Sequence, residues 1–229
     1  MTASPTRAAR ATFKSPLLEG LSPSDADSIL HAATARRFLA HSVIVDQHKP
    51  ATKLFLLLEG RARFFYLTSE GRKILLPWIV PGEVFGGASV QRSPNTYLCS
   101  TETLENSRVL AWDVATIRAL MARYPILMDN ILLISRGYID WFFEAHISLS
   151  CHSARYRLAH TLTSLARAIG RDVRGDFELT ITNDELANAS NVSPFTASRL
   201  LSEWSRSGAL TKSRGKVTVH SRERLFVLK

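Results

Sequence analysis

At 229 residues the chain suffices for one large domain or two modest ones, and 45% apolar content is ordinary for a protein that buries a core. Its 29 Lys and Arg outnumber 20 Asp and Glu for a formal charge of +9, and residues 151–229 alone hold 13 basic against 7 acidic side chains; a focused excess of this kind points to a polyanionic partner, because neutralised phosphates release condensed counterions. The two cysteines, Cys99 and Cys151, form no Cys-x-x-Cys pair, and the longest apolar run, residues 74–80, is broken by Pro77, so a disulfide framework, a cysteine-held zinc or iron–sulfur site and a membrane span are all excluded and a reducing cytoplasm fits.

In chain order, residues 1–16 begin Arg-rich and without acids, but have no apolar h-region, so they read as a disordered tail and not as a secretory signal. SPSDADSILHAATAR at 22–36 predicts a short amphipathic helix opened by Ser and Asp. From about residue 40 to 113, short apolar stretches alternate with Gly and Pro, the pattern of a small antiparallel sandwich or barrel. Gly60, Gly71, Gly82 and Gly86 mark its corners, and TSEG, ending at Gly71, predicts a hairpin turn.

After Asp113 the texture becomes helical. ATIRALMARYP ends at Pro125, and Leu127, Ile131, Ile134, Tyr138, Trp141 and Ala145 then recur at alternating spacings of four and three. A seam this narrow predicts a helix over 126–150 that pairs with its own copy in a second subunit; the alternative is a helix folded back on its own barrel. SARYRLAHTLTSLARAIG at 153–170 predicts a further amphipathic helix closed by Gly170, and the polar RDVRGDFE connects it to the last block.

That block, TNDELANASNVSPFTASRLLSEWSRSG, contains two helix starts. Thr182 and Glu185 have capping-box spacing, and Ser193 before Pro194 places a cap ahead of a proline at the first helical position. The ASN between the helices is long enough only for a sharp turn, which is helix-turn-helix geometry. On the second helix Ala197, Leu200, Leu201 and Trp204 share the core side, while Ser193 and Thr196 open it and Phe195, Ser198, Arg199, Ser202 and Arg206 face outward with the guanidiniums and hydroxyls that read guanine edges and hold phosphates. LTKSRGKVTV then predicts a basic wing hairpin with Lys212, Arg214 and Lys216 at its tip.

Taken together, LFLLLEGRARFFYLTSEGRK, PGEVFGG, the seam helix and the helix-turn-helix with its wing resemble the Crp/Fnr family of bacterial transcription regulators over roughly residues 17–229. The resemblance implies an α+β chain: a cyclic-nucleotide-binding-like antiparallel β jelly roll at 17–125, a dimerisation helix at 126–150 and a winged helix-turn-helix at 151–229. It further implies a cytoplasmic homodimer on double-stranded DNA with a palindromic operator, RNA polymerase as a partner, and a small-molecule effector in a pocket at Gly82, Glu83, Gly86, Gly87, Ser89 and Tyr97.

The sequence departs from the family at two places. Cyclic-AMP-binding members carry a glutamate for the ribose and, about ten residues on, an arginine for the cyclic phosphate; here Gly87 stands at the glutamate position and Tyr97 with Leu98 at the Arg-Ser position, so cyclic AMP is not the expected ligand. Arg92-Ser93 could substitute only by lengthening the next strand. Haem is the alternative cofactor, through His31, His41, His48 or His146, whereas the N-terminal cysteine cluster of the oxygen-sensing branch is missing; Cys99 and Cys151 read as inert thiols. The second departure is Phe195, where the family's recognition helix carries a glutamate. An exposed Phe there suits a thymine methyl; otherwise it packs on the first helix of the motif. Two rival classes fit the sequence less well. A cupin-like enzyme lacks clustered His and Glu ligands, and GGASVQ lacks the closing glycine of a nucleophile elbow; a sensor docking on a protein fits the basic wing poorly.

Overall fold

The computed structural model describes residues 14–91, 95–173 and 175–227, and the chain divides into one unit ending at Asp140 and another beginning at Trp141. Residues 1–13 of the expected tail lie outside the described residues, but its last residues are part of the fold. Ser15 is buried, caps a 3-10 turn at Pro16–Leu18 and donates its hydroxyl to Gly82 O at 2.7 Å.

Ser22 caps α1 (Pro23–His31), which stops short of the predicted residue 36. Thr34–Phe38 form strand β1 instead, because pairing with Ser107–Ala111 overrides the local helical pattern. The strands that follow are β2 (Val43–Val45), β3 (Lys53–Glu59), β4 (Ala62–Leu67), β5 (Lys73–Ile79), β6 (Val84–Phe85), β7 (Ser100–Thr103) and β8 (Ser107–Asp113). They make two four-stranded antiparallel sheets, ordered β1-β8-β3-β6 and β2-β7-β4-β5, the two-layered roll that the glycine punctuation predicted. Strand β3 explains its own continuous apolar sequence. Phe55 and Leu57 point into the space between the sheets with Phe85, Tyr97 and Val109, while Leu54 and Leu56 on the other face join Trp112 under the helices.

That helical layer consists of α1, α2 (Val114–Arg123) and the start of the 26-residue α3 (Ile126–Cys151). Leu127 and Ile131 of α3 are core residues beside Ile29, Trp112 and Ile117, and Ile134 packs against them. Asn130 Nδ2 donates to Leu17 O and Glu19 O, both at 2.9 Å, and Tyr138 donates to Val84 O at 3.1 Å with its ring edge-on to Phe64. The predicted seam therefore lies, over its first four residues, against the protein's own barrel; Trp141 is at the surface and Ala145 half-buried. A second apolar row, at spacings of four, seven and four residues, faces outward: Met128, Leu132, Ile139 and Phe143, the last three exposed by 60%, 54% and 65%. Periodicity identifies a stripe on a helix but not what covers it, and this helix carries two.

The second unit contains α4 (Ala154–Ile169), β9 (Arg171–Val173), β10 (Asp176–Thr180), α5 (Asn183–Ala189), α6 (Pro194–Arg206), β11 (Leu210–Ser213), β12 (Lys216–Val219) and α7 (Arg222–Phe226). RDVRGDFE is not a plain connector. Its two halves are β9 and β10, and β10 joins the wing in a sheet ordered β11-β12-β10-β9. Gly170 does close α4, through its N–H to Ala166 O, and a Cβ there would lie 2.3 Å from that same oxygen.

Gly60, Gly82 and Gly86 of the barrel are each both conformationally and sterically required. Gly86 has φ +82°, and an added Cβ would stand 2.6 Å from Lys53 O, whereas Gly71 at φ +79° has open space around it. Gly71→Ala is expected to cost about 1 kcal/mol from backbone strain alone, and Gly86→Ala clearly more, since the β3 backbone must also move. Urea unfolding of the two variants checks this; equal losses would mean that the Lys53 contact relaxes freely.

Candidate nucleic-acid interface and effector pocket

The recognition element is built from local chemistry. Thr182 and Glu185 cap α5 reciprocally, the Thr hydroxyl accepting from Glu185 N–H at 3.2 Å and the carboxylate accepting from Thr182 N–H at 2.9 Å. Asn191 turns the chain with φ +47°, a left-handed conformation that asparagine tolerates. Ser193 then caps α6 by accepting from Thr196 N–H at 3.1 Å, ahead of Pro194. Ala197, Leu200, Leu201 and Trp204 are buried beneath the helix.

A residue that sequence reading missed fixes this turn. Arg157 of α4 spreads its guanidinium over three carbonyls: Nε donates to Ser190 O at 3.1 Å, Nη2 to Asn191 O at 3.0 Å and Nη1 to His152 O at 2.8 Å. Both carbonyls of the helix-turn-helix turn are thus held by one planar cation with the fork geometry for it.

The outward face carries Phe195, 79% exposed, with Ser198 half-buried and Arg199 exposed. Phe195 does not pack on α5. Ser202 donates its hydroxyl to Ser198 O at 2.8 Å, and Thr196 shares a hydrogen bond with Ser193 at 2.8 Å, so both hydroxyls keep acceptor capacity. Arg199 Nη1 lies 3.7 Å from Glu203 Oε2, a loose i,i+4 pair that leaves most of its donors open. Arg206 lies apart from these residues in its contacts, donating to Ser202 O at 3.4 Å and lining a cleft with Arg155 and Arg224. At the wing Lys212, Arg214 and Lys216 are exposed around Gly215, although Lys216 is paired with Glu178 of β10 at 3.0 Å.

In the barrel, Gly86 opens a 3-10 turn at Gly87–Val90 that contains Ser89, buried and with its hydroxyl unpartnered among the described residues. Gly82, at φ +100°, donates its N–H to Leu57 O at 2.9 Å, and Glu83 folds back to accept from Val80 N–H at 2.9 Å, its carboxyl raised above the usual range by burial. Gly87 is exposed with nothing around it. Tyr97 is buried, and its ring would be 3.5 Å from a Cβ on Gly86. Its hydroxyl accepts from Thr52 and Lys53 N–H at 3.2 and 3.0 Å and donates to Lys53 O at 3.1 Å, leaving it no capacity for a ligand. Arg92 and Ser93 lie outside the described residues. Among the candidate histidines, His31 bonds Asp27 O at 2.6 Å, His41 and His48 sit in left-handed turns and His146 is exposed on α3. Burial pushes the Cys99 thiol up to about 11, so it carries little thiolate near neutral pH, and Cys151 is exposed at the end of α3.

Residues 35–124 match the model of the cyclic nucleotide-binding domain and residues 156–227 that of the Crp-like helix-turn-helix domain, together more than two thirds of the chain. The chain belongs to the Crp/Fnr family of transcription regulators. It is 29% identical over 210 residues to the cyclic AMP receptor protein of Thermus thermophilus, covering 90% of this chain and 92% of that one. In fold it is similar to FixK2 of Bradyrhizobium japonicum, with a TM-score of 0.74, 20% identity and coverage of 84% and 95%. It is similar also to the c-di-GMP-responsive regulator CLP of Xanthomonas campestris, at 0.76, 16% and coverage of 87% and 100%. These families are DNA-binding regulators, not enzymes, which removes the cupin-like enzyme. No helix among the described residues is long and apolar enough to cross a membrane.

Arg157→Ala in this Crp/Fnr chain is expected to destabilise the second unit by about 2 kcal/mol, from the loss of charge-assisted bonds to backbone carbonyls. Arg157→Lys should recover little, since one ammonium does not span three carbonyls. Hydrogen exchange at Asn191 and Val192 reports the turn directly, and unchanged protection there in Arg157→Ala would show that the caps alone hold it.

Proposed function

We propose that this regulator acts as a homodimer on a palindromic operator, with α6 of each subunit in a major groove and the wing on the adjacent backbone. The observation that carries the reading is the outward face of α6. A phenyl ring 79% exposed, one turn from a guanidinium held only by a loose ion pair, is not needed to bury the core, and both groups suit base edges, Phe195 a thymine methyl and Arg199 a guanine. Lys212 and Arg214 supply sequence-independent phosphate contacts, and Lys216 does so by exchanging its pairing with Glu178. Ser193, Thr196, Ser198 and Ser202 contribute hydroxyls at the same surface, and Arg206 a cation at its far end.

Dimerisation uses the outward row of α3, Met128, Leu132, Ile139 and Phe143. An exposed apolar row on a helix this long, interrupted only at Ser135 and Arg136, marks an interface, and the spacing of four, seven and four residues is that of a helix meeting its own copy.

The effector is not cyclic AMP. The Thermus thermophilus relative is named for that ligand, but here the position of the phosphate-neutralising arginine is Tyr97, committed to the β3 backbone, and that of the acid is Gly87. The Xanthomonas campestris neighbour responds to a different cyclic nucleotide, so a pocket altered in this way is compatible with another effector. The buried, unpartnered Ser89 hydroxyl in the turn marks where that effector is met. The regulator works in the cytoplasm, together with RNA polymerase.

Selection of binding sites from a random duplex pool tests the reading of α6. The wild type should enrich a two-fold symmetric site, and Phe195→Glu should change the preferred base at one position per half-site, by the 1–3 kcal/mol that a good side-chain pairing discriminates. An unchanged site in the variant would remove Phe195 from the interface, and no enrichment by either protein would remove the operator.

A further inference from the structure

We propose that the second unit holds an anion-binding site for a small phosphorylated ligand, in the cleft lined by Arg155, Trp204, Arg206, Ser207 and Arg224. The cleft lies among α4, α6 and α7 and has a volume of about 490 Å³, within the range of small-molecule pockets and larger than a bare phosphate needs.

Its charge is unbalanced. Three guanidiniums meet a single carboxylate, Glu203, which already bonds Arg155 and lies near Arg199. No acid pairs with Arg206 or Arg224 among the described residues; Arg206 donates only to Ser202 O of its own helix. The C-terminal carbonyls of α6 attract cations and account for part of this, since Arg206 is in the last turn of α6. They do not account for Arg155. It stands in the first turn of α4, directly after the cap Ser153 and Ala154, where the helix dipole disfavours a positive charge and where α4 has no acid to offset it.

The second observation is independent of charge. Trp204 is 1% exposed, yet its indole N–H has no partner among the described residues. A buried donor left unpaired costs about 1–3 kcal/mol, and native structures rarely leave one without a use. Trp204 lines the same cleft, with the Arg155 guanidinium 5.6 Å from its ring centroid. Guanidiniums are donors only, as is the indole N–H, so the ligand class that suits this lining is an acceptor-rich oxyanion, of which a phosphate monoester is the common biological form. The exposed side chain of Val227 remains for the organic body of the ligand. On the DNA-binding reading above, the site also communicates with the operator: Glu203 is shared between Arg155 and Arg199, so an anion that takes Arg155 frees Glu203 to hold the reading arginine.

The test is a titration of the ¹⁵N-labelled full chain with inorganic pyrophosphate at constant ionic strength, following the four indole N–H resonances. The Trp204 signal is assigned by Trp204→Phe or, should that variant not fold, by elimination with Trp78→Phe, Trp112→Phe and Trp141→Phe. The expected result is a saturable shift of Trp204 alone, with affinity reduced about tenfold or more in Arg224→Gln at unchanged melting temperature. A Trp204 signal that stays put, that moves equally with chloride, or that moves only with duplex DNA would overturn the proposal. The last of these would leave the operator reading intact, since a parallel titration with duplex DNA reports DNA binding separately from pyrophosphate.

Discussion

The first unit hangs on one helix with an apolar stripe turned inward and another turned out. Leu127 and Ile131 of α3 complete the barrel's helical layer, Asn130 ties the helix to the Leu17 and Glu19 carbonyls, and Tyr138 ties it to Val84. These contacts fix the helix in rotation, and so determine which side chains are left outside. Turned outward, Leu132, Ile139 and Phe143 are then held in water. Burying each such side chain fully is worth about 1.5–3 kcal/mol, a drive to associate that the exposed Leu133 and Phe142 beside the row add to. On the proposed dimer, the barrel would act on the self-pairing face through α3, and Tyr138 is the residue that ties this helix to Val84 of β6. Its phenol is raised well above the usual range by burial, with the nearby Glu83 and Cys99 adding to it, so it stays a neutral hydrogen-bond donor. An effector that displaced the Val84 carbonyl would act on α3 through this bond.

The reading head follows a different logic, in which hydrogen bonds to backbone carry the structure and side chains are left over for function. Two caps, one left-handed asparagine and the Arg157 fork define the turn, and Trp204 with its neighbours anchors α6. Once these are satisfied, Phe195 is left exposed and Arg199 keeps only its loose pair with Glu203, as the proposed reading of base edges from a rigid scaffold requires.

How much of this was legible in the sequence depended on range. The caps at Thr182 and Ser193, the turn at Gly71 and the core side of α6 are decided within four residues, and the sequence pattern and the structure agree on them. The α3 stripe was legible as a period, but whether barrel or partner covers it is a long-range fact, and the row read first was the inward one. The β9–β10 hairpin was hidden by charge, although Phe177, Leu179 and Ile181 alternate at strand spacing and could have revealed it. Counting from Gly86 identified Tyr97 as a departure, whereas its use, pinning the start of β3 from 44 residues away, could come only from coordinates. Arg155, Arg157 and the unpaired Trp204 indole belong to the same class. Their roles depend on neighbours that no local pattern names.

Sedimentation equilibrium of the full chain, alone and compared with Ile139→Asp, tests the account most directly. The protomer mass is 25.5 kDa, and the wild type should sediment at twice this value while the variant, with a charge in the outward row and its barrel contacts untouched, falls to the protomer mass and keeps its fold by circular dichroism. A wild type that stays at 25.5 kDa, or a variant that remains a dimer, would contradict the claim that the outward stripe of α3 is the self-pairing face.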